Sequence, residues 1–208
     1  MNPSRIRVKM CGMTRLEDVT YAISLGVDAI GLIFYPKSAR NVTVEKARVL
    51  LNNLPPLVSV VAVLVNPEKS FVQQILDELP VQLLQFHGDE SAAFCDQFDK
   101  PYIKAIHPHN SVQIQQEMDK YLNASALLLD TPSEESRGGT GLAFDWRIIP
   151  RHLAKQYILA GGLNELNVLE AIKSSNPYAV DICSGIESAP GIKDHKKMSQ
   201  FIKVLWGI

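Results

Sequence analysis

The run LVSVVAVLV at residues 57–65 decides the fold. It is the longest apolar stretch in the 208-residue chain, yet it is less than half of the roughly 20 residues that a membrane-spanning helix needs. Polar and apolar positions do not alternate along it, so it does not read as a strand with one face in water. A continuous apolar run rich in β-branched Val suits a parallel strand that is covered on both faces.

Seven further runs share this character on either side: IRVKM (6–10), DAIGLIF (28–34), VQLLQF (81–86), PYIKAI (101–106), SALLLDT (125–131), QYILA (156–160) and YAVDIC (178–183). Helix-like segments lie between them. Thr14 reads as the cap of TRLEDVTYAISLG, with Glu17 completing a capping box and Gly26 as the stop. Thr43, Asp89, Asn110 and Asn164 are candidate caps of later helices. Eight strand–helix pairs without a Pro/Gly/Ser-rich break predict an α/β fold. The expected form is a single (β/α)8 TIM barrel over residues 1–208, with parallel strands and outer helices. An open doubly wound sheet is the alternative.

A chain that is 46% hydrophobic and 21% charged can bury the core such a fold demands. Its formal net charge of -1 creates no general attraction for nucleic acid or anionic membrane, and its 21 Lys and Arg form no basic tail. The start MNPSRIRVKM enters a strand at once, leaving no room for a signal peptide. Three cysteines without a CxxC pair argue against a disulfide framework and a structural zinc site. The expectation is a cytoplasmic protein with reduced thiols and neither nucleic acid nor membrane as partner.

On a barrel, active sites gather at the C-terminal strand ends, and phosphate often sits at the loops after strands seven and eight. The polar residues there are Cys11, those at 35–40, Asn66, His87, His107, Asp130, Gly161-Gly162 and Ser184-Gly185. In AGGLNELNV (160–168), the paired glycines allow close backbone approach, and a helix beginning near Asn164 would turn its N–H groups toward an anion. ICSGIESAPG (182–191) supplies further backbone donors around Ser184 and Gly185. Two such turns side by side make a phosphate cradle, although tight turns alone would use the same glycines. No G-x-x-x-x-G-K-[ST] pattern occurs, so a P-loop is excluded.

Asp130 ends a very apolar strand, where desolvation would raise its pKa above the reference of about 3.9 and make it a general acid. A loop-capping Asp would sit in the same place. The Gly-rich segment 132–146 reads as a lid or an ordinary loop, and Gly138, Gly139 and Gly141 could add phosphate donors. Period-two alternation puts Arg7, Lys9 and Cys11 on one face of the first strand. With Lys104 and Asp181 as further inward charges, a buried network would favour the thiolate of Cys11, since neighbouring cations lower a thiol below its free value of about 8.5. An inert buried thiol is the alternative, and it suits Cys95 and Cys183. Of five histidines, only His87 and His107 end strands, and no His/Cys cluster has ligand spacing, so no metal is expected. His87 reads as a structural hydrogen-bonder or a substrate-facing group. Trp146 and Trp206 read as packing residues.

Together KMCGMT (9–14), DAIGLIFYPKSAR (28–40), QFHGDE (85–90), LLLDT (127–131), GGTGLAFDW (138–146), AGGLNELNV (160–168) and VDICSGIE (180–187) resemble the phosphoribosylanthranilate isomerase family. The matches run in order across nearly the whole chain. The resemblance implies a (β/α)8 barrel that works without a cofactor in tryptophan biosynthesis. Its small-molecule phosphoribosyl substrate, N-(5-phosphoribosyl)anthranilate, would become 1-(2-carboxyphenylamino)-1-deoxyribulose 5-phosphate by an Amadori rearrangement. It further implies Cys11 as general base, Asp130 as general acid, Arg40 on the anthranilate, Asp181 near the ribose, and Gly161, Gly162 and Ser184 on phosphate. Monomer and homodimer both stay open. One departure stands out: where many members carry Ser-Ser-Gly, this chain has Cys183-Ser184-Gly185. A phosphate contact through the Cys183 N–H would survive the change, whereas a required hydroxyl would be lost. The rival readings are a ring closure like that of indole-glycerol-phosphate synthase, a non-catalytic phosphosugar-binding barrel, and a redox thiol protein. The first wants a Lys and Glu pair at the strand ends, and the last lacks a resolving cysteine nearby in sequence.

Overall fold

The structure is a computed structural model that describes residues 5–130, 146–150 and 153–207. Eight parallel strands close into a barrel in chain order: β1 Arg7–Met10, β2 Ala29–Phe34, β3 Ser59–Leu64, β4 Leu83–Phe86, β5 Tyr102–Ile106, β6 Ala126–Leu129, β7 Tyr157–Leu159 and β8 Ala179–Ile182. Each of the eight predicted runs contains one of them. β8 returns beside β1, with Lys9 opposite Asp181 and Met10 opposite Ile182. That closure removes the sheet edges an open doubly wound sheet would keep.

Seven α-helices lie among the described residues: α1 Leu16–Ser24, α2 Val44–Leu50, α3 Lys69–Glu78, α4 Ala92–Cys95, α5 Ser111–Lys120, α6 Val168–Ser175 and α7 His195–Trp206. Between β6 and β7 the described residues form one 3-10 turn, Trp146–Ile148, and the glycines at 138, 139 and 141 lie outside them. After β8 the chain makes a second 3-10 turn, Ser184–Ile186, and then a short antiparallel hairpin of β9 Glu187–Ala189 and β10 Ile192–Lys193 before α7 begins.

Two apolar layers explain the continuous hydrophobic runs. Val8, Met10, Ile30, Leu32, Leu84 and Leu127 pack with helix residues such as Val19, Ala22, Ile75 and Phe201. Ile103, Ala105, Leu128, Ile158 and Ala160 form a separate cluster inside the barrel. Lys104 therefore shares the outer face of β5 with Tyr102 and Ile106. Its ammonium lies 3.0 Å from Glu90 Oε2 and also donates to the Phe86 and Gly88 carbonyls. This overturns its expected place beneath Cys11, because the phase of the alternation puts Ile103 and Ala105 inside instead.

Local cap signals divide by whether a competing partner exists. Thr43 and Asn110 cap α2 and α5, accepting from the N–H groups of Lys46 and Gln113. Gly26 ends α1 with a φ of +78°. Thr14 does not cap α1, because its hydroxyl donates to the Gly191 carbonyl and Arg15 takes the cap position. Ser91 rather than Asp89 caps α4. α6 starts at Val168, later than expected, because Asn164 and Asn167 brace a turn instead: Asn164 accepts from Leu166 N–H and donates its own N–H to Asn167 Oδ1.

Candidate active site

At the C-terminal ends of the strands lies a cavity of about 320 Å³, and it is lined by every predicted site residue except Gly185. β1 contributes Cys11, the loop after β2 Arg40, the end of β4 His87 and the end of β6 Asp130. Gly161 and Gly162 follow β7 in left-handed conformations, φ +81° and +64°, which only glycine adopts readily. From β8 and the turn after it come Asp181, Cys183 and Ser184. Gly185 lies behind them, where a Cβ would meet the Leu163 carbonyl oxygen at 2.0 Å. Its bare backbone lets the two glycine-bearing turns press together.

Beneath the cavity, Lys9 Nζ lies 2.9 Å from Asp181 Oδ2 inside the barrel, with both side chains almost fully buried. Burial pulls the Lys9 ammonium down, but Asp181 and Cys11 outweigh it and hold its pKa above the ordinary value. Asp181 Oδ1 is buried without a hydrogen-bond partner among the described residues, as is Gln85 Oε1 on the cavity wall. Gly31 makes room for this group: a Cβ there would lie 2.6 Å from Cys11 Sγ and 3.1 Å from Lys9 Nζ.

The expected depressed thiol at Cys11 is corrected by its surroundings. A hydrogen bond to Cys183 and burial push Cys11 up, and the pull of Lys9 does not reverse them. The lowered thiol is Cys183, at about 7, through the hydrogen bond from Cys11 and the nearby Lys193 and Arg40, against burial. Cys183 is thus no inert core thiol. Cys95 is one, pushed up to about 12 by burial.

Arg40 is held in place by a side chain from the hairpin. Glu187 takes its Nε at 2.9 Å and its Nη2 at 2.7 Å, a bidentate pair that fixes the guanidinium plane. Lys193 reaches the same carboxylate at 2.9 Å and the Cys183 carbonyl at 3.0 Å. Burial would raise the Glu187 carboxyl, but Arg40 and Lys193 hold it below the usual carboxylate range. On the opposite wall, His87 Nδ1 lies 2.9 Å from Gln85 Nε2, and its Nε2 lies 3.3 Å from Asp130 Oδ2. Sequence reasoning missed Glu187, Lys193 and Gln85. SGIESAPGIKD reads as a source of backbone donors around Ser184 and Gly185, with no period that would turn Glu187 and Lys193 toward the rim, and the inward phase of Gln85 shows only once β4 is placed in the barrel.

A family model described as N-(5'phosphoribosyl)anthranilate (PRA) isomerase matches residues 8–204. The chain belongs to the PRA isomerase family, and it is an isomerase. The PRA isomerase of Legionella pneumophila (strain Lens) is 72% identical over 207 residues, covering 100% of both chains. That of Pseudomonas fluorescens (strain Pf0-1) is 49% identical, covering 97% of this chain and 99% of its own. Among solved structures, the PRA isomerase of Thermotoga maritima superposes with a TM-score of 0.90 at 38% identity, covering 98% of this chain and 100% of its own. A PRA isomerase in complex with reduced 1-(o-carboxyphenylamino)-1-deoxyribulose 5-phosphate aligns with a TM-score of 0.87 at 36% identity, covering 98% and 100%. Among the described residues, no helix of this PRA isomerase family member is long and apolar enough to cross a membrane.

Proposed function

We propose that the chain converts N-(5-phosphoribosyl)anthranilate to 1-(2-carboxyphenylamino)-1-deoxyribulose 5-phosphate by an Amadori rearrangement in tryptophan biosynthesis, acting without a cofactor in the cytoplasm as a monomer or homodimer. One observation carries this reading. Cys11 and Asp130, from opposite parts of the sequence, line the same cavity as the two glycine-bearing turns. The complex of a related isomerase with the reduced rearrangement product supports the substrate class.

In this mechanism the phosphate is anchored by backbone at Gly161 and Gly162 and by the turn carrying Cys183, Ser184 and Gly185. Arg40, oriented by Glu187, faces the anthranilate carboxylate as a planar cation. Asp130 protonates the ribose ring oxygen, the furanose opens, and a Schiff base forms between C1' and the anthranilate nitrogen. That electron sink acidifies the C2' proton, which the Cys11 sulfur takes. The enolamine then tautomerises to the ketone, so no atom is gained or lost. His87 sits against the Asp130 carboxylate and orients it, while Asp181, paired to Lys9, faces the ribose.

The test is the disappearance of freshly made substrate in the absence of cofactor and metal. Positioned proton transfer contributes about 10²–10⁴-fold, so Cys11→Ala and Asp130→Asn should each lose at least that much kcat while still binding the phosphorylated ligand. Turnover near the wild-type rate in either variant would overturn the assignment. Tight binding without conversion by the unaltered chain would favour a sugar-phosphate-binding barrel instead.

A further inference from the structure

β1 and β8 are neighbours, and the ladder that pairs Lys9 with Asp181 and Met10 with Ile182 ends with Cys11 N–H donating to the Ile182 carbonyl at 2.8 Å. Cys183 packs against the cluster that holds Cys11 beyond it, which brings the two sulfurs together at the cavity floor. Two glycines clear the space. A Cβ at Gly12 would lie 2.9 Å from Cys183 Sγ, just as one at Gly31 would lie 2.6 Å from Cys11 Sγ. Lys9 and Asp181 face the first sulfur from below. Lys193, Arg40 and Glu187 face the second, with Lys193 Nζ 3.8 Å from Cys183 Sγ.

We propose that Cys11 and Cys183 share one proton as a single accepting unit, with Cys183 as the positioning residue through which the cations Arg40 and Lys193 act on Cys11. This rests on Cys11 being the base of the proposed reaction. Holding one proton, the pair carries one negative charge. As the C2'–H bond breaks, the shared proton passes from Cys11 to Cys183, a new S–H bond forms at Cys11, the C–H electron pair stays in the enolamine, and the pair becomes neutral. It recovers its charge when that proton leaves. The opposite directions of the two thiols, Cys183 down to about 7 and Cys11 up, are what a coupled pair shows: its first proton belongs to both residues. A serine at position 183 could still donate a hydrogen bond to a Cys11 thiolate, but it could not share the negative charge.

The test follows ultraviolet thiolate absorbance against pH in the full chain under reducing conditions, for the unaltered protein, Cys183→Ala and the nearly isosteric Cys183→Ser. The pH profile of kcat/KM is measured alongside. Cys95, pushed up to about 12, stays silent near neutrality. The unaltered protein should develop one thiolate near neutral pH. In Cys183→Ala, the remaining thiol step and the acid limb of kcat/KM should move up together by about one to two pH units, the worth of a hydrogen bond to a charged group. Cys183→Ser should recover part of the shift. The substrate's own phosphate titration is common to all three proteins and cancels. The pair is refuted if the unaltered chain shows no thiolate step below the ordinary cysteine value of about 8.5, or if the step in Cys183→Ala does not move. A shifted spectroscopic step with an unmoved kinetic limb would overturn Cys11 as the base, and with it the role of the pair in the reaction.

Discussion

Gly31→Ala tests the position of Cys11 without touching it. Gly31 lies within β2 and is not among the glycines with positive φ, so alanine fits the backbone and its effect is steric. The added Cβ would sit 2.6 Å from Cys11 Sγ and 3.1 Å from Lys9 Cε and Nζ. Non-bonded heavy atoms relax near 3.5–4.0 Å, so the sulfur must retreat by roughly 1 Å. A displacement of that size at a reacting group costs about 10²-fold in rate, or about 2.7 kcal/mol of transition-state stabilisation. Overpacking a buried site costs about 1–3 kcal/mol of stability, and a domain of this size loses about 2–4 °C of Tm per kcal/mol. Circular dichroism melts would show a folded protein with a modestly lower Tm. Steady-state conversion of N-(5-phosphoribosyl)anthranilate would then show kcat down about 100-fold, with KM changed far less because the atoms that the added carbon meets first belong to Cys11 and Lys9. A folded variant whose kcat stays within about threefold of the original would refute the placement of the reacting C2' carbon against Cys11.

Glu187→Gln keeps the side-chain volume but removes the charge that holds Arg40 and the fully buried Lys193 ammonium. Breaking a buried pair costs about 3–5 kcal/mol, and the partial exposure of Arg40 places this one near the lower end; thermal melts should show the loss, and KM should rise as Arg40 comes free. Asp18, buried and bound by Arg15, Lys193 N–H and His195, has its pKa lowered because these partners outweigh the burial that would raise it. A depressed carboxylate contributes its stability fully above its unfolded pKa of about 3.9 and loses it as pH falls through the lower folded value. Tm should therefore drop below about pH 4, and Asp18→Asn should lower Tm near neutrality and flatten that drop; an acid profile unchanged by Asp18→Asn would refute the assignment.

The local signals that held are those whose partner lies within a few residues. Thr43 and Asn110 cap their helices because the N–H groups they accept from are three positions on. Thr14, Asp89 and Asn164 present similar chemistry. Thr14 is drawn to a carbonyl across the barrel mouth, Ser91 takes the place of Asp89, and a second asparagine holds Asn164 in a turn. The strand ends were readable as site positions because a closed parallel barrel leaves them few directions in which to point. The phase of each strand was less so: β5 is apolar on both sides of Lys104, and nothing in YIKAI says that the lysine faces the helices.

Continuous apolar runs that alternate at regular intervals with helical segments point to a parallel sheet covered on both faces, because the intervening helices, with closure of the sheet in a barrel, bury both sides of every strand. Paired glycines, an aspartate and a cysteine at the ends of those runs mark the chemistry available at one rim. Which of them meet depends on closure, which sets Lys9 against Asp181 from 172 positions away and brings Cys183 beside Cys11. The hairpin after β8, which carries Glu187 and Lys193 back over the same rim, has no period of its own to announce it. Charge and proton affinity in this cavity are properties of neighbours in space, so burial and the pairing of β1 with β8 set them, not the order of residues along the chain.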